Sequence, residues 1–192
     1  YFSLDGEGAG FVIGDLAGHG IEAAADSIML RSLFRGFLRE NEDLSDAMGR
    51  LNRVLMTELK SGLFATALAI AYKDGKVGLT NAGHPCPVVC NSEPALLELD
   101  GTALAVDGGS RYSLTELELA PGGVIVVYTD GLIEARSSEG EYFGEENVIR
   151  CVGDLKDRSA RAIVECLVDR SLRHTGGRFA DDVAVLAIKR RA

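Results

Sequence analysis

Apolar residues recur along this chain in two rhythms, and the change from one to the other marks out its elements. Short runs at Tyr1 to Leu4 and Gly10 to Ile13, joined by an Asp- and Gly-rich loop, read as a hairpin that breaks at Gly14-Asp15. From Ile21 the spacing lengthens: Ile21, Ala24, Ala25, Ile28, Leu33 and Phe37 alternate with Glu22, Arg31, Arg35 and Arg39, which predicts an amphipathic helix of about five turns. A second helix is expected from Leu44 to Leu59, with Ala47, Met48, Leu51, Val54 and Leu55 on one face and Asp43 as its N-cap. The short link between them predicts an antiparallel helix pair covering a sheet.

Period-two runs then return at Phe64 to Tyr72, Val77 to Asn81, Val88 to Cys90, Leu96 to Leu99, Leu114 to Leu119 and Val124 to Thr129. Lys73-Asp74-Gly75-Lys76 and Pro121-Gly122-Gly123 have turn chemistry. Strands in succession without helices between them predict a largely antiparallel sheet. Helices follow at Glu145 to Val152 and Ala160 to Arg173, the latter stopped by Gly176-Gly177, and a last strand is expected at Val183 to Ile188. The fold class is therefore α+β, with strands apolar enough to face a second sheet.

At 192 residues and 46% hydrophobic, the chain suits one domain with one buried core. A net charge of −9 argues against nucleic acid or an anionic membrane as partner, and no apolar run approaches a bilayer span. The four cysteines, Cys86, Cys90, Cys151 and Cys166, have neither zinc-site spacing nor the density of a disulfide scaffold, which fits a reduced, cytoplasmic setting. Opening on Tyr1 in what reads as a strand, the sequence is expected to be an N-terminally incomplete piece of a larger protein.

Three aspartates stand where strand-like runs end or begin: Asp15 after GFVIG, Asp130 after GGVIVVYT, and Asp181 at the head of DDVAVLAI. In an antiparallel sheet, two strand ends and one strand start can share an edge, and carboxylates gathered there call for protons or cations between them. Mg²⁺ and Mn²⁺, which prefer oxygen ligands, suit such a cluster. Taken singly, Asp15 and Asp130 are also explained as strand-ending turn or cap residues, and Asp181-Asp182 as a charged loop before an edge strand. Gly18 and Gly20 before a helix would let backbone groups approach a phosphate closely. His19 between them is placed either to give up a proton or to hydrogen-bond within its turn. His84, in N-A-G-H-P-C-P, reads as part of a rigid turn, and His174 as a charge at a helix C-terminus. No G-x-S-x-G element and no G-x-x-x-x-G-K-[ST] loop occurs.

The segments FVIGDLAGHGIEAA, LFATALAIAYKDGKVGLTNAGHPCPVV, GGVIVVYTDGLIEAR, GEYFGEENVI and FADDVAVLAI together resemble the metal-dependent 2C-type protein phosphatases, in the bacterial SpoIIE/RsbU-like branch. The resemblance implies an α-β-β-α sandwich of two mainly antiparallel sheets flanked by helices. It also implies a site for two Mn²⁺ or Mg²⁺ ions, in which Asp15 bridges the metals and the Leu16 carbonyl binds one. Asp130 and Asp181 complete the other shell, and Asp182 ranks below Asp181. A further aspartate in a G-G-D element upstream of Asp15 belongs to the family pattern and is not included in this sequence.

By the same resemblance the activity is hydrolysis of phosphoserine or phosphothreonine by metal-activated water, with no phosphoenzyme. The implied substrate is an anti-sigma-factor antagonist protein in a partner-switching pathway, and the implied neighbour is an N-terminal sensor or receiver domain. Two other readings stay open: a phosphatase-like binding module without activity, and a hydrolase of small phosphate esters. The oligomeric state is open as well, a homodimer included.

Overall fold

The computed structural model describes residues 1–4, 8–18, 21–40, 43–60 and 62–191, with the side chains of 21–26, 39 and 40 excepted. The expected hairpin forms from β1 (Phe2–Ser3) and β2 (Ala9–Leu16), and β3 (Ala65–Lys73) and β4 (Lys76–Ala82) form the next. At the tip of the second, Asp74 and Gly75 both take positive φ, 52° and 87°, the geometry that a two-residue turn between twisted strands requires. With β7 (Thr115–Glu118) these strands make a five-stranded antiparallel sheet in the order β1-β2-β3-β4-β7. A second antiparallel sheet has the order β6-β5-β8-β9, from β5 (Val88–Cys90), β6 (Pro94–Leu96), β8 (Val124–Tyr128) and β9 (Val185–Lys189). The architecture is thus mixed α+β, with two antiparallel sheets and helices.

Contacts within the chain gather in two compact units: Tyr1–His84 with Leu99–Glu118, and Pro85–Glu98 with Leu119–Ala192. The first holds the five-stranded sheet together with α1 (Ile21–Glu40) and α2 (Leu44–Glu58). Asp43 caps α2 as expected, its carboxylate accepting from the backbone N–H groups of Ser45 and Asp46. The carboxyl is held below its usual pKa, by the Ser45 hydroxyl first and then the Asp46 N–H. Leu44, Ala47, Met48, Leu51 and Leu55 form the buried stripe of α2. Asn52 lies buried in the same stripe, its amide accepting from Ala105 N–H and donating to the Asp107 carbonyl, both at 2.8 Å.

The face of α1 differs from the expected one. Phe34 and Leu38 are buried, whereas Ile28 is 63% exposed. The apolar arc is wide enough to admit two stripes, and packing on β2 and α2 selects the one through Phe34 and Leu38. Phe37, half-buried, is covered by the Arg50 guanidinium 4.5 Å from its ring centre.

The second unit packs α4 (Gly144–Leu155) and α5 (Ala160–His174) with the four-stranded sheet, of which β8 is buried along its whole length. Val124, Val126 and Tyr128 meet Val148, Cys151, Ile163 and Leu167 in its core. Gly176 and Gly177, with φ of 72° and 99°, end α5 as expected. A short helix unforeseen from the sequence, α3 (Asp130–Ile133), begins directly after β8. Four residues are too few to establish helical periodicity.

Candidate metal-binding aspartates

Asp15 is placed by the long ladder between β2 and β3. The expected break at Gly14-Asp15 does not occur: pairing continues as Gly14↔Ala67, Asp15↔Thr66 and Leu16↔Ala65. The strand survives because Gly14 permits close approach; a Cβ there would lie 2.4 Å from the Thr66 carbonyl oxygen. Asp15 is exposed, and its carboxylate accepts from the Leu16 N–H at 3.0 Å. The Leu16 side chain is buried in the core of the first unit, which anchors the backbone whose carbonyl is the expected ligand. Gly18, exposed, has a φ of 145°, in the region that favours glycine. His19 and Gly20 lie outside the described residues.

Beside Asp15, within the same unit, is a cavity of about 190 Å³ whose polar lining includes Ser27 and Arg31 from α1 and Thr66 from β3. None of these three was singled out by sequence reasoning. Ser27 and Arg31 are one helical turn apart and so share a face of α1, but their meeting with the end of β2 is a matter of tertiary packing. The Thr66 hydroxyl lies 3.0 Å from His84 Nδ1. His84 lies in an irregular segment rather than a turn, held by side-chain bonds: its N–H donates to the Asn81 side chain, whose amide donates back to the His84 carbonyl and on to that of Leu99.

In the second unit, Asp130, Asp181 and Asp182 are brought to one place. Asp130 begins α3, and its carboxylate accepts from the Gly131 N–H at 2.9 Å; that of Asp181 accepts from the Asp182 N–H at 2.8 Å. The expected strand start at Val183 is corrected to Val185. The reason is Thr129: its N–H still donates to the Ala184 carbonyl at 3.0 Å, but its hydroxyl, rather than a backbone carbonyl, accepts from the Ala184 N–H at 2.9 Å and donates to the Asp182 carbonyl at 3.2 Å, so a side chain takes over half of the pairing. Asp181 therefore lies in a bend ahead of the strand rather than at its head.

Gly131 closes the arrangement. A Cβ on it would fall 2.3 Å from the Asp182 carbonyl oxygen and 3.5 Å from Asp181 Cβ. From α5, the buried Ser171 hydroxyl donates to the Leu132 carbonyl at 3.3 Å and fastens the short helix. Tyr128, at the end of β8, is fully buried, and burial, with Glu145 and Cys86 nearby, pushes its phenol well above its ordinary value.

Asp130 and Asp181 offer the oxygen donors that Mn²⁺ or Mg²⁺ prefer, on a short helix and a pinned bend. Asp130 is half-buried while Asp181 and Asp182 are exposed, so each is accessible to an ion. Among the described residues, no group of three or more His, Cys, Asp or Glu side chains is gathered closely enough to hold a metal. Nor is any described helix long and apolar enough to cross a membrane.

Known proteins are similar to this chain in sequence, and solved structures in architecture. The protein IcfG of Synechocystis is 27% identical over 98% of this chain and 35% of its own length. The phosphoserine phosphatase RsbU of Bacillus subtilis is 24% identical over 100% of the chain and 58% of its own. The chain thus spans from about a third to just over half the length of these relatives.

Among solved structures, the PP2C domain of SiaA from Pseudomonas aeruginosa superposes with a TM-score of 0.85 at 19% identity, covering 99% of this chain and 78% of that one. The catalytic domain of the serine/threonine protein phosphatase PstP, in complex with two manganese ions, superposes with a TM-score of 0.69 at 16% identity, over 99% and 94%. Those likenesses establish the fold. The profile of Stage II sporulation protein E (SpoIIE) matches residues 5–191, a span that takes in Asp15, Asp130, Asp181 and Asp182, and the chain belongs to the SpoIIE family.

Proposed function

We propose that this chain is a metal-dependent phosphatase of phosphoserine or phosphothreonine in proteins. The observation that carries the reading is the pinning of Asp181 and Asp182 beside Asp130 by Thr129 and Gly131, in a chain of the SpoIIE family. In the second unit Mn²⁺ or Mg²⁺ would be held by Asp130 and Asp181, with Asp182 secondary; in the first, the ligands would be Asp15 and the Leu16 carbonyl. When bound, such ions lower the pKa of water and neutralise charge on phosphoryl oxygens.

The chain's own groups do the rest. Thr129 keeps Asp182 from drifting as ions come and go, and the N–H groups of Leu16, Gly131 and Asp182 each fix one aspartate rotamer. Arg31, lining the cavity next to Asp15, supplies a cation for the substrate phosphate. Gly18, with Gly20, leaves room for the phosphate to approach the backbone. The role of His19 as proton donor is part of the same proposal.

Similarity to RsbU, a phosphoserine phosphatase, supports phosphoserine as substrate. We take the phosphoprotein to be of the anti-sigma-factor antagonist type, with a sensor or receiver domain preceding the phosphatase in the parent protein. The test is phosphate release by the purified chain from a phosphoserine protein in added Mn²⁺. Asp130→Asn should reduce the rate by about a hundredfold or more, by analogy with loss of a group that stabilises transition-state charge. Full activity in that variant would remove the proposed site.

A second reading, a phosphatase-like binding module, is favoured by one observation: no three ligand side chains cluster among the described residues. Calorimetry separates the two. Mn²⁺ binding that is lost in Asp130→Asn supports the enzyme, and no binding at all supports the module.

A further inference from the structure

The two helices of the second unit carry a thiol pair that the proposed hydrolysis does not use. Cys151 on α4 and Cys166 on α5 are fifteen residues apart in sequence, yet the Cys151 thiol donates to the Cys166 sulfur at 2.9 Å. Neither is disulfide-bonded in the structure. A disulfide needs its sulfurs at about 2.05 Å, so closure requires less than the length of one bond, between side chains already turned toward each other.

The surroundings differ at the two sulfurs. Cys151 is fully buried among core residues of the unit, whereas Cys166 lies half-buried at its edge. Further along both helices, Arg170 pairs with Asp154 at 2.9 Å. That ion pair holds α4 against α5, while burial first and then the Cys166 sulfur push the Cys151 thiol up to about 12. Cys166, at the edge, is therefore the sulfur that solvent and oxidants reach, and Cys151 the one held in reserve.

We propose that Cys151 and Cys166 form a redox modification site, which a hydroperoxide closes to an intramolecular disulfide through attack on Cys166. In the first step the Cys166 thiolate displaces water from hydrogen peroxide: an S–O bond forms, the O–O bond breaks, and the thiol proton leaves in that water. Cys151 sulfur then attacks the sulfenic sulfur; the S–S bond forms, the S–O bond breaks, and the hydroxide released leaves as water with the Cys151 proton. The dithiol loses two electrons and peroxide becomes two waters. Because Cys151 already touches Cys166, the sulfenic stage is intercepted before further oxidation. The closed state ties α4 covalently to α5.

The test treats the whole chain with hydrogen peroxide, alkylates under non-reducing conditions and maps the peptides by mass spectrometry. Protection of Cys151 and Cys166 together, in one cross-linked peptide that dithiothreitol separates, is expected, with Cys86 still alkylated. In Cys151→Ala, Cys166 should be trapped by dimedone as the sulfenic acid; in Cys166→Ala, Cys151 should remain an alkylatable thiol after unfolding. If either variant does not fold, the wild-type map decides alone. Cys166 driven to the sulfinic acid without a cross-link, or both thiols still alkylatable after peroxide, would overturn the proposal.

Discussion

Thr129 reaches across from the end of β8 to Asp182, donating its hydroxyl proton to that residue's carbonyl at 3.2 Å while accepting from the Ala184 N–H at 2.9 Å. One hydroxyl thus ends a strand ladder and aims the bend that presents Asp181. Thr129→Val keeps the branched shape and removes both bonds. It should cost about 1 kcal/mol in urea unfolding, because the part-buried bond from the Ala184 N–H loses its acceptor, and should weaken Mn²⁺ binding in a titration. Wild-type values in both measurements would show that the bend is held by something else.

Gly131 tests the same contact from the other side. Helical backbone tolerates alanine, so Gly131→Ala would ordinarily stabilise α3; here the new methyl meets the Asp182 carbonyl at 2.3 Å. The bend must move, at a cost of about 1–3 kcal/mol. Metal-dependent phosphate release is expected to fall about tenfold or more, consistent with small displacements of catalytic groups. Hydrogen exchange over 181–184 should quicken in the variant.

Arg31 lines the cavity beside Asp15. If it meets the substrate phosphate, Arg31→Ala should raise KM for a phosphoserine protein about tenfold or more and change kcat less, the loss of a charge-assisted hydrogen bond being about 1.5–3 kcal/mol. Arg31→Lys should recover part of the loss. A kcat effect with unchanged KM would place the arginine in a different role.

Tyr128 carries a pH prediction. Burial raises the folded-state pKa of its phenol above the ordinary value of 10.0. The neutral phenol is the form the folded state accepts, so the stability tied to it is present below pH 10 and is lost as pH rises through the raised folded value. Its hydroxyl has no partner among the described residues, so Tyr128→Phe should leave stability at pH 7 within about 1 kcal/mol of wild type. The variant should also resist alkaline unfolding above pH 10 better than wild type. Identical alkaline transitions followed by circular dichroism would contradict this.

Asn52 ties α2 to the loop through Ala105 and Asp107, with both its amide atoms used and its side chain buried. Ala105 is held at a φ of 64°, which the bond to its N–H helps to maintain. Asn52→Leu should destabilise the chain by about 2–4 kcal/mol, since two backbone groups lose their partners at once. Phosphatase activity per folded molecule should be unchanged, as measured at a temperature where both forms are native.

Local chemistry settled much of this in advance. The Asp74-Gly75 turn, the Asp43 cap and the Gly176-Gly177 stop formed where short-range signals placed them, because turns and caps depend on neighbours in sequence; the antiparallel strand series formed too, but the strand expected at Leu96 to Leu99 lies at Pro94–Leu96. The motif order was also legible, and it carried the SpoIIE family without any tertiary structure. Tertiary structure decided what spacing leaves ambiguous. It chose Phe34 and Leu38 over Ile28 as the buried face of α1, carried β2 through Asp15 because Gly14 let β3 approach, and delayed β9 to Val185 because the Thr129 hydroxyl took over half of the pairing. It also set Cys166 against Cys151, and Ser27 and Arg31 beside Asp15. Each of these depends on which residues distant in sequence compete for the same contact, and periodicity along a chain does not encode that competition.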